Sequence, residues 1–461
     1  MMLGAPTPAA AAKVVKPLAL SLENPHYFQF RGKPTVLVTS GEHYGAVLNQ
    51  DFDYSRYLDE LKANRFNLTR TFSGVYVENP GAFNIRHNTL APLPGRMLCP
   101  WARSGEPGYT GGGAKFDLSK WDDAYFRRLK EFVREAGRRG IVVEFVLFCP
   151  YYDDAQWNLS PLKAGNNVNG VGANPRTEAL TLQHPELVSV QDAFVKKAVR
   201  ELRPFDNVYF EICNEPYFGG VTLEWQAHIA ATIQQSEADL SPASRHLIAQ
   251  NIANKSAVVR DPNPVVSLFN FHYASPPDAV RVNYGLNRPI GFDESGFRGT
   301  TDLPYRTEAW EFLLAGGAVY SNLDYSYSTV TPDGTGKVEA PTPGGGGPTL
   351  RRQLSILKTF LEKLPITRMH PAPDLIHGGA PAGGAVQALA ESGKAYAIYV
   401  RGGTQVTLSV MLASGKYRAE WINTHTGAVE KSEKLVAGAD VVTLQSPTYQ
   451  EDIALRILTV R

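Results

Sequence analysis

Apolar positions along the chain follow two regimes that change near residue 367. Before that point, short runs of nearly continuous apolar character alternate with longer segments whose apolar residues recur every three to four positions. Residues 141–148 and 208–213 are of the first kind, as expected for parallel strands covered on both faces. Residues 54–64, with Tyr54, Tyr57, Leu58 and Leu61 on one side, and 121–139, stopped by Gly140, are of the second kind and read as helices. The same reading predicts strands at 34–39, 67–72, 246–250, 265–271, 289–294 and 318–323, and helices at 184–202, 222–239, 278–284, 305–314 and 350–364. Strands and helices alternating eight times argue for an α/β fold, a (β/α)8 TIM barrel. Residues 17–33 read as a short hairpin lid ahead of it. Two long loops rich in Gly, Pro and aromatic residues, 74–120 and 149–183, interrupt the alternation; loops this long are usually functional or disordered.

After Met369 the helical period disappears. Alternating runs at 385–390, 395–401, 405–410, 417–422, 441–444 and 453–460, separated by turns such as Ser392-Gly393 and Thr426-Gly427, predict a small antiparallel β-sandwich. The expected domains are therefore a disordered leader at 1–16, the barrel at 17–366 and the sandwich at 367–461.

Composition narrows this picture. The chain has 461 residues, 43% hydrophobic and 20% charged, enough for a barrel and a smaller module. A net charge of +1 gives no argument for nucleic acid or an anionic membrane as partner, and no apolar run reaches spanning length. Oligomeric state is not legible. Cys99, Cys149 and Cys213 lack any C-x-x-C spacing; they argue against a zinc site and read as buried free thiols. Residues 1–16 lack the basic and apolar regions of a signal peptide. This start fits a secreted or periplasmic bacterial protein whose signal peptide is absent or removed.

The chemistry concentrates at strand ends. The fourth strand closes in Asn214-Glu215-Pro216, where Pro216 stops the ladder and a carboxylate is delivered at the C-terminal face of the barrel. The seventh closes in Asp293-Glu294, and alternation turns Asp293 away from its neighbour. Two glutamates facing each other across a cleft are the chemistry of glycoside hydrolysis.

Asn-Glu-Pro on a fourth strand with a later Glu closing the seventh resembles the retaining glycoside hydrolases of clan A, in the manner of glycoside hydrolase family 5 (cellulase-like), over roughly residues 30–365. The resemblance implies that Glu215 is the acid/base and Glu294 the nucleophile, with no metal or organic cofactor. It implies that Asn214 binds the sugar 2-hydroxyl, that Arg70 stands beside the nucleophile, and that the His272-Tyr273 pair closes the sixth strand where the family shows His-x-Tyr. Glu211, on the same side of its strand as Glu215, reads as a buried partner of Arg70. The family's eighth-strand Trp platform is missing; Asn322, Asp324, Tyr325 or Tyr327 stand in its place. His43 and Tyr44 are weaker candidates at the end of the first strand. Trp101, Tyr151, Tyr152 and Trp157, in the long loops, are candidates to stack on sugar rings. The expected activity is hydrolysis of β-linked oligo- or polysaccharides by double displacement. A transglycosylase on the same scaffold and a non-catalytic carbohydrate-binding barrel are the alternatives.

Overall fold

The computed structural model describes residues 16–240 and 245–460; positions 1–15 of the expected leader lie outside the described residues. Eight parallel strands form one sheet: β1 Leu37–Gly41, β2 Leu68–Phe72, β3 Val142–Phe148, β4 Val208–Cys213, β5 Ile248–Asn254, β6 Leu268–His272, β7 Ile290–Ser295 and β8 Val319–Leu323. They pair in chain order from β2 to β8, and β8 returns to β1 with Val319 opposite Leu37 and Leu323 opposite Gly41. The seam between β1 and β2 is held by a side chain. Asn67 Oδ1 accepts from Val38 N at 2.9 Å, and at the other end Phe72 N donates to Tyr44 O at 2.9 Å. The result is the (β/α)8 barrel that the apolar runs predict.

Among the described residues seven helices surround it: α1 Tyr54–Ala63, α2 Asp123–Arg138, α3 Pro185–Leu202, α4 Leu223–Leu240, α5 Asp278–Asn283, α6 Asp302–Leu314 and α7 Pro348–Glu362. Aspartates start the first two. Asp53 accepts from the amides of Ser55 and Arg56, and Asp122 from those of Ala124 and Tyr125, so amides left over by the first turn are satisfied. The alternation is complete except between the fifth and sixth strands, where the sequence reading places no helix either. Residues 255–267, between β5 and β6, form no helix, because Pro262 and Pro264 break a segment without an apolar helical period.

The hairpin ahead of the barrel is not a lid. Strands Ala19–Leu20, Phe28–Phe30 and Lys33–Thr35 form a small sheet tied by Arg31 to Asp206 (2.6 Å) and to Gly137 O (2.7 Å). Asp206 immediately precedes β4, so this sheet covers the barrel floor, opposite the strand ends that carry chemistry. The two long loops are ordered at the other end. One contains the hairpin Trp101–Pro107 with Ala114–Trp121; the other holds a helical turn, Asp154–Trp157, started by a reciprocal cap between Asp153 and Gln156. A backbone bridge between Phe116 and Asn167 joins the two loops into one wall.

The C-terminal strands build the expected sandwich. A six-stranded sheet runs in the order His370–Pro371, Ala385–Glu391, Ala395–Arg401, Asp452–Thr459, Gly415–Asn423, Val429–Ala437. A three-stranded sheet contains Ile376–Gly378, Thr407–Leu412 and Asp440–Gln445. Ile398, Leu408, Val410, Trp421, Leu444 and Leu455 fill the space between them. The other face of the larger sheet packs on the barrel: Tyr399 stacks on Trp310 of α6 with ring centres 5.4 Å apart, and Asp452 binds the buried guanidinium of Arg306 at 2.7 Å. Among the described residues no helix is long and apolar enough to cross a membrane.

Candidate active site

A cavity of about 340 Å³ opens at the C-terminal ends of the barrel strands. Its lining brings together Glu215 after β4 and Glu294 at the end of β7, with Tyr44, Asn214 and Tyr273 beside them. Oxygens of the two carboxylates and a ring nitrogen of His272 lie within 4.8 Å of one another.

Strand alternation alone would not build this. Phe292 points outward onto Phe312, so Asp293 points into the barrel and Glu294 would point away. A register shift in the pairing of β7 with both neighbours lets Asp293 and Glu294 both face inward. Similarly, Tyr273 follows His272 without an intervening residue, and a left-handed backbone (φ 51°) swings its ring back to the site. Glu215 (φ 37°) and Tyr44 (φ 62°) are held in the same region, which non-glycine residues rarely occupy. With Phe83 (φ 54°), four unfavourable backbone conformations at one cavity mark it as the place where the fold gives up local stability.

Glu294 is the most heavily held group. Tyr273 donates to Oε1 at 2.5 Å, Tyr44 to Oε2 at 2.8 Å, and Arg70 to Oε2 at 3.4 Å. His272 Nδ1 stands 3.3 Å from Oε1. Burial opposes ionisation here, but the charges of His272 and Arg70 and the donated hydrogen bonds outweigh it and hold the carboxyl well below the usual range. Glu215 accepts from Tyr152 at 2.6 Å and from Tyr217 at 3.0 Å, and its Oε1 lies 3.1 Å from the same His272 nitrogen. His272 thus stands between the two carboxylates. Burial works against its protonation, yet the facing charges of Glu294 and Asp293 raise its affinity for a proton.

Below the cavity Arg70 is enclosed by acids. It binds Glu211 at 2.5 Å and Asn214 Oδ1 at 2.8 Å, and its Nε lies 3.5 Å from Asp293 and 3.7 Å from Glu144. Asn270 donates to both Glu144 (2.8 Å) and Glu211 (2.9 Å). Burial pushes Glu211 up to about 7 and raises Glu144 well above the usual carboxylate range, whereas His272 and Arg70 keep Asp293 low against the same burial.

Several sequence candidates lie elsewhere. Trp101 is buried against Trp121 and Phe194. Trp157 is buried against Tyr151, its indole donating to Asn174 O at 3.2 Å. Tyr151 itself is buried and bonded to Ser160 at 2.7 Å; it is Tyr152, the next residue, that reaches the cavity. These three rings bind the loops together and have no face left for a ligand. Asn322 and Asp324 are also internal: Asn322 donates to Ser40 at 3.0 Å, and Asp324 accepts from Arg351 at 2.8 Å and from Gly347 N at 3.0 Å. Tyr325 is half-buried behind the cavity wall, 6.0 Å from the ring of His43 and 6.5 Å from that of Phe297.

The cavity also exposes residues the sequence reading passed over: Tyr76, Glu78, Phe83, Leu90, Phe218, Asn254 and Phe297. Glu78 accepts from Asn88 at 2.5 Å and from Tyr76 at 3.1 Å, and lies 3.2 Å from His43 Nε2. A signal for two of the others was present. Phe218 stands three residues after Glu215, and Phe297 three after Glu294.

The fold and site define a (β/α)8-barrel protein with a carboxylate pair at the C-terminal ends of the strands and a β-sandwich on its flank. No family model matches the sequence, and no curated protein does. Solved structures do resemble it. A putative glycoside hydrolase from Bacteroides vulgatus aligns over 98% of this chain and 84% of that one, with a TM-score of 0.67 and 15% identity. A glycoside hydrolase family 5 structure from the same organism aligns over 96% and 93%, with a TM-score of 0.63 and 13% identity. A family 5 mannosidase from Rhizomucor miehei covers 76% of this chain and 99% of its own, with a TM-score of 0.51 and 11% identity. At these identities the likeness establishes a shared fold, over both barrel and sandwich for the first two.

Proposed function

We propose that the protein is a retaining β-glycoside hydrolase. The observation that carries this reading is the pair Glu215 and Glu294, with carboxylate oxygens within 4.8 Å of each other across one cavity. That spacing suits direct attack on the anomeric carbon; inverting enzymes keep their carboxyl groups about 6.5–9.5 Å apart to admit a water. The fold shared with structures titled as glycoside hydrolases supports the same class.

In this reading the roles follow from the surroundings. Glu294, ionised by Arg70, His272, Tyr44 and Tyr273, attacks the anomeric carbon. Glu215, after β4, protonates the departing oxygen and then takes a proton from the water that releases the sugar. Asn214, oriented by Arg70 and with its amide nitrogen 2.9 Å from Tyr152 Oη, lies beside the acid where a 2-hydroxyl would be bound. The test is to incubate wild type and Glu294→Gln with aryl and alkyl β-glycosides and β-glycans, following product and its anomeric configuration by NMR. Release of the β-anomer by wild type, lost in the variant, is expected. Release of the α-anomer, or a variant as active as wild type, would overturn the mechanism.

A further inference from the structure

The chain contains 21 phenylalanines. Among the described residues the exposed ones are Phe83 (40%), Phe218 (43%) and Phe297 (41%). All three line the cavity of Glu215 and Glu294. Each is attached to the catalytic machinery through one further ring. Phe218 lies 5.7 Å from Tyr152 and 5.0 Å from Tyr217, the two phenols that hold Glu215. Phe297 lies 5.7 Å from Tyr273, which holds Glu294. Phe83 closes the arc, 5.7 Å from Tyr152 and 6.5 Å from Phe297, and its backbone is held at φ 54°.

Phenylalanine has no polar atom on its side chain. An arc of such rings left facing water marks an interaction surface. A glycan chain leaving the cavity would need donors and acceptors for its hydroxyls, and Trp or Tyr would offer both a ring face and a polar handle. The polar groups of this cavity are all less exposed than the three rings: Tyr44, Tyr76, Glu78 and Asn214 are buried beside the two glutamates, and His43, Tyr152, Asn254 and Tyr273 are half-buried. The polar part of the ligand therefore belongs inside and an apolar part at the opening.

We propose that the substrate is a small β-glycoside whose aglycone is an aromatic or arylalkyl alcohol, seated between Phe218 and Phe297 with Phe83 over it. This inference rests on the assignment of Glu215 and Glu294 as the reacting pair. Binding and turnover separate the two. Calorimetry measures the affinity of methyl and benzyl 1-thio-β-glycosides of glucose, mannose, galactose and xylose, which resist hydrolysis, together with a thio-linked disaccharide of each sugar. The benzyl compound of the accepted sugar is expected to bind about tenfold more tightly than the methyl one, the scale of one good aromatic contact. Replacing Phe218 and Phe297 together by Ala is expected to bring that ratio close to one. Both side chains are exposed, so truncation leaves the core intact. Absence of benzyl binding for every sugar, a ratio near one in wild type, a ratio that survives the double variant, or tighter binding of the disaccharide would overturn the inference. Turnover of the corresponding O-glycosides tests the hydrolase assignment separately: a clear benzyl preference without hydrolysis leaves the ligand class standing and removes the reaction.

Discussion

Tyr273 donates its phenolic hydrogen to Oε1 of Glu294 at 2.5 Å, and it does so from a left-handed backbone position directly after His272. A donor to the ionised form of a carboxyl lowers its proton affinity, and a hydrogen bond to a charged group is worth about 1.5–3 kcal/mol. In Tyr273→Phe the acid limb of the kcat/KM profile should therefore move up by about 1–2 pH units. A limb that stays in place would mean that Tyr273 only packs against the site.

Glu215→Gln should separate good leaving groups from poor ones. Loss of a positioned general acid costs about 10²–10⁴-fold for an alkyl glycoside, whose departing oxygen must be protonated. A dinitrophenyl glycoside, which needs no proton to leave, should be spared most of that loss in its first step. Rate constants measured for both substrates decide it; equal losses would remove Glu215 from the role of acid.

The buried loop aromatics should behave as structure. Trp157→Ala removes a buried indole, a change that costs about 3–5 kcal/mol. Thermal unfolding should show that loss, while KM of the protein that remains folded stays near the wild-type value. A raised KM at unchanged stability would return Trp157 to the ligand site.

Stability should fall as pH rises towards neutrality. Burial pushes Glu42, Glu211 and Glu308 up to about 7 from an ordinary value of 4.5. Between those values the folded state binds more protons than the unfolded one, so the slope of unfolding free energy against pH is negative. His272, raised in the folded state, acts in the same direction above its ordinary value of 6.5. Asp293 and Glu294 act oppositely: their folded values are depressed, so their contribution is present above the ordinary carboxylate range and lost as pH falls through the folded value. Urea midpoints taken from pH 5 to pH 8 should decline for wild type and decline less for Glu308→Gln. A midpoint that climbs over this interval would contradict the assignment.

The barrel was legible because its strands are buried on both faces and carry nearly continuous apolar runs, such as Val142–Phe148, broken only by Glu144. Val429–Ala437 escaped notice for the opposite reason. It is an edge strand carrying Glu430, Lys431, Glu433 and Lys434, the charges that keep an open edge from pairing with another chain. At the site, strand-end position pointed to Glu215 and Glu294, and the family resemblance added Arg70 and Asn214. Loop aromatics could not be sorted that way. Tyr151 and Tyr152 are neighbours of one type, and only the path of the backbone decides which faces the cavity. The reach of β5 to Asn254 was missed as well, since Asn251 and Asn254 break the apolar run that would have announced a longer strand.

The contact of Trp310 with Tyr399 and of Arg306 with Asp452 makes the C-terminal sheets part of the barrel's own wall. A cut after α7 would bare an indole and strand a buried guanidinium without its anion. The two halves should then melt in a single calorimetric transition, and neither should be soluble when expressed alone. What reads along the chain as a detachable appendage is, in energetic terms, a keystone: exchanging it for another sandwich would require a matching aromatic and a matching acid at positions 399 and 452.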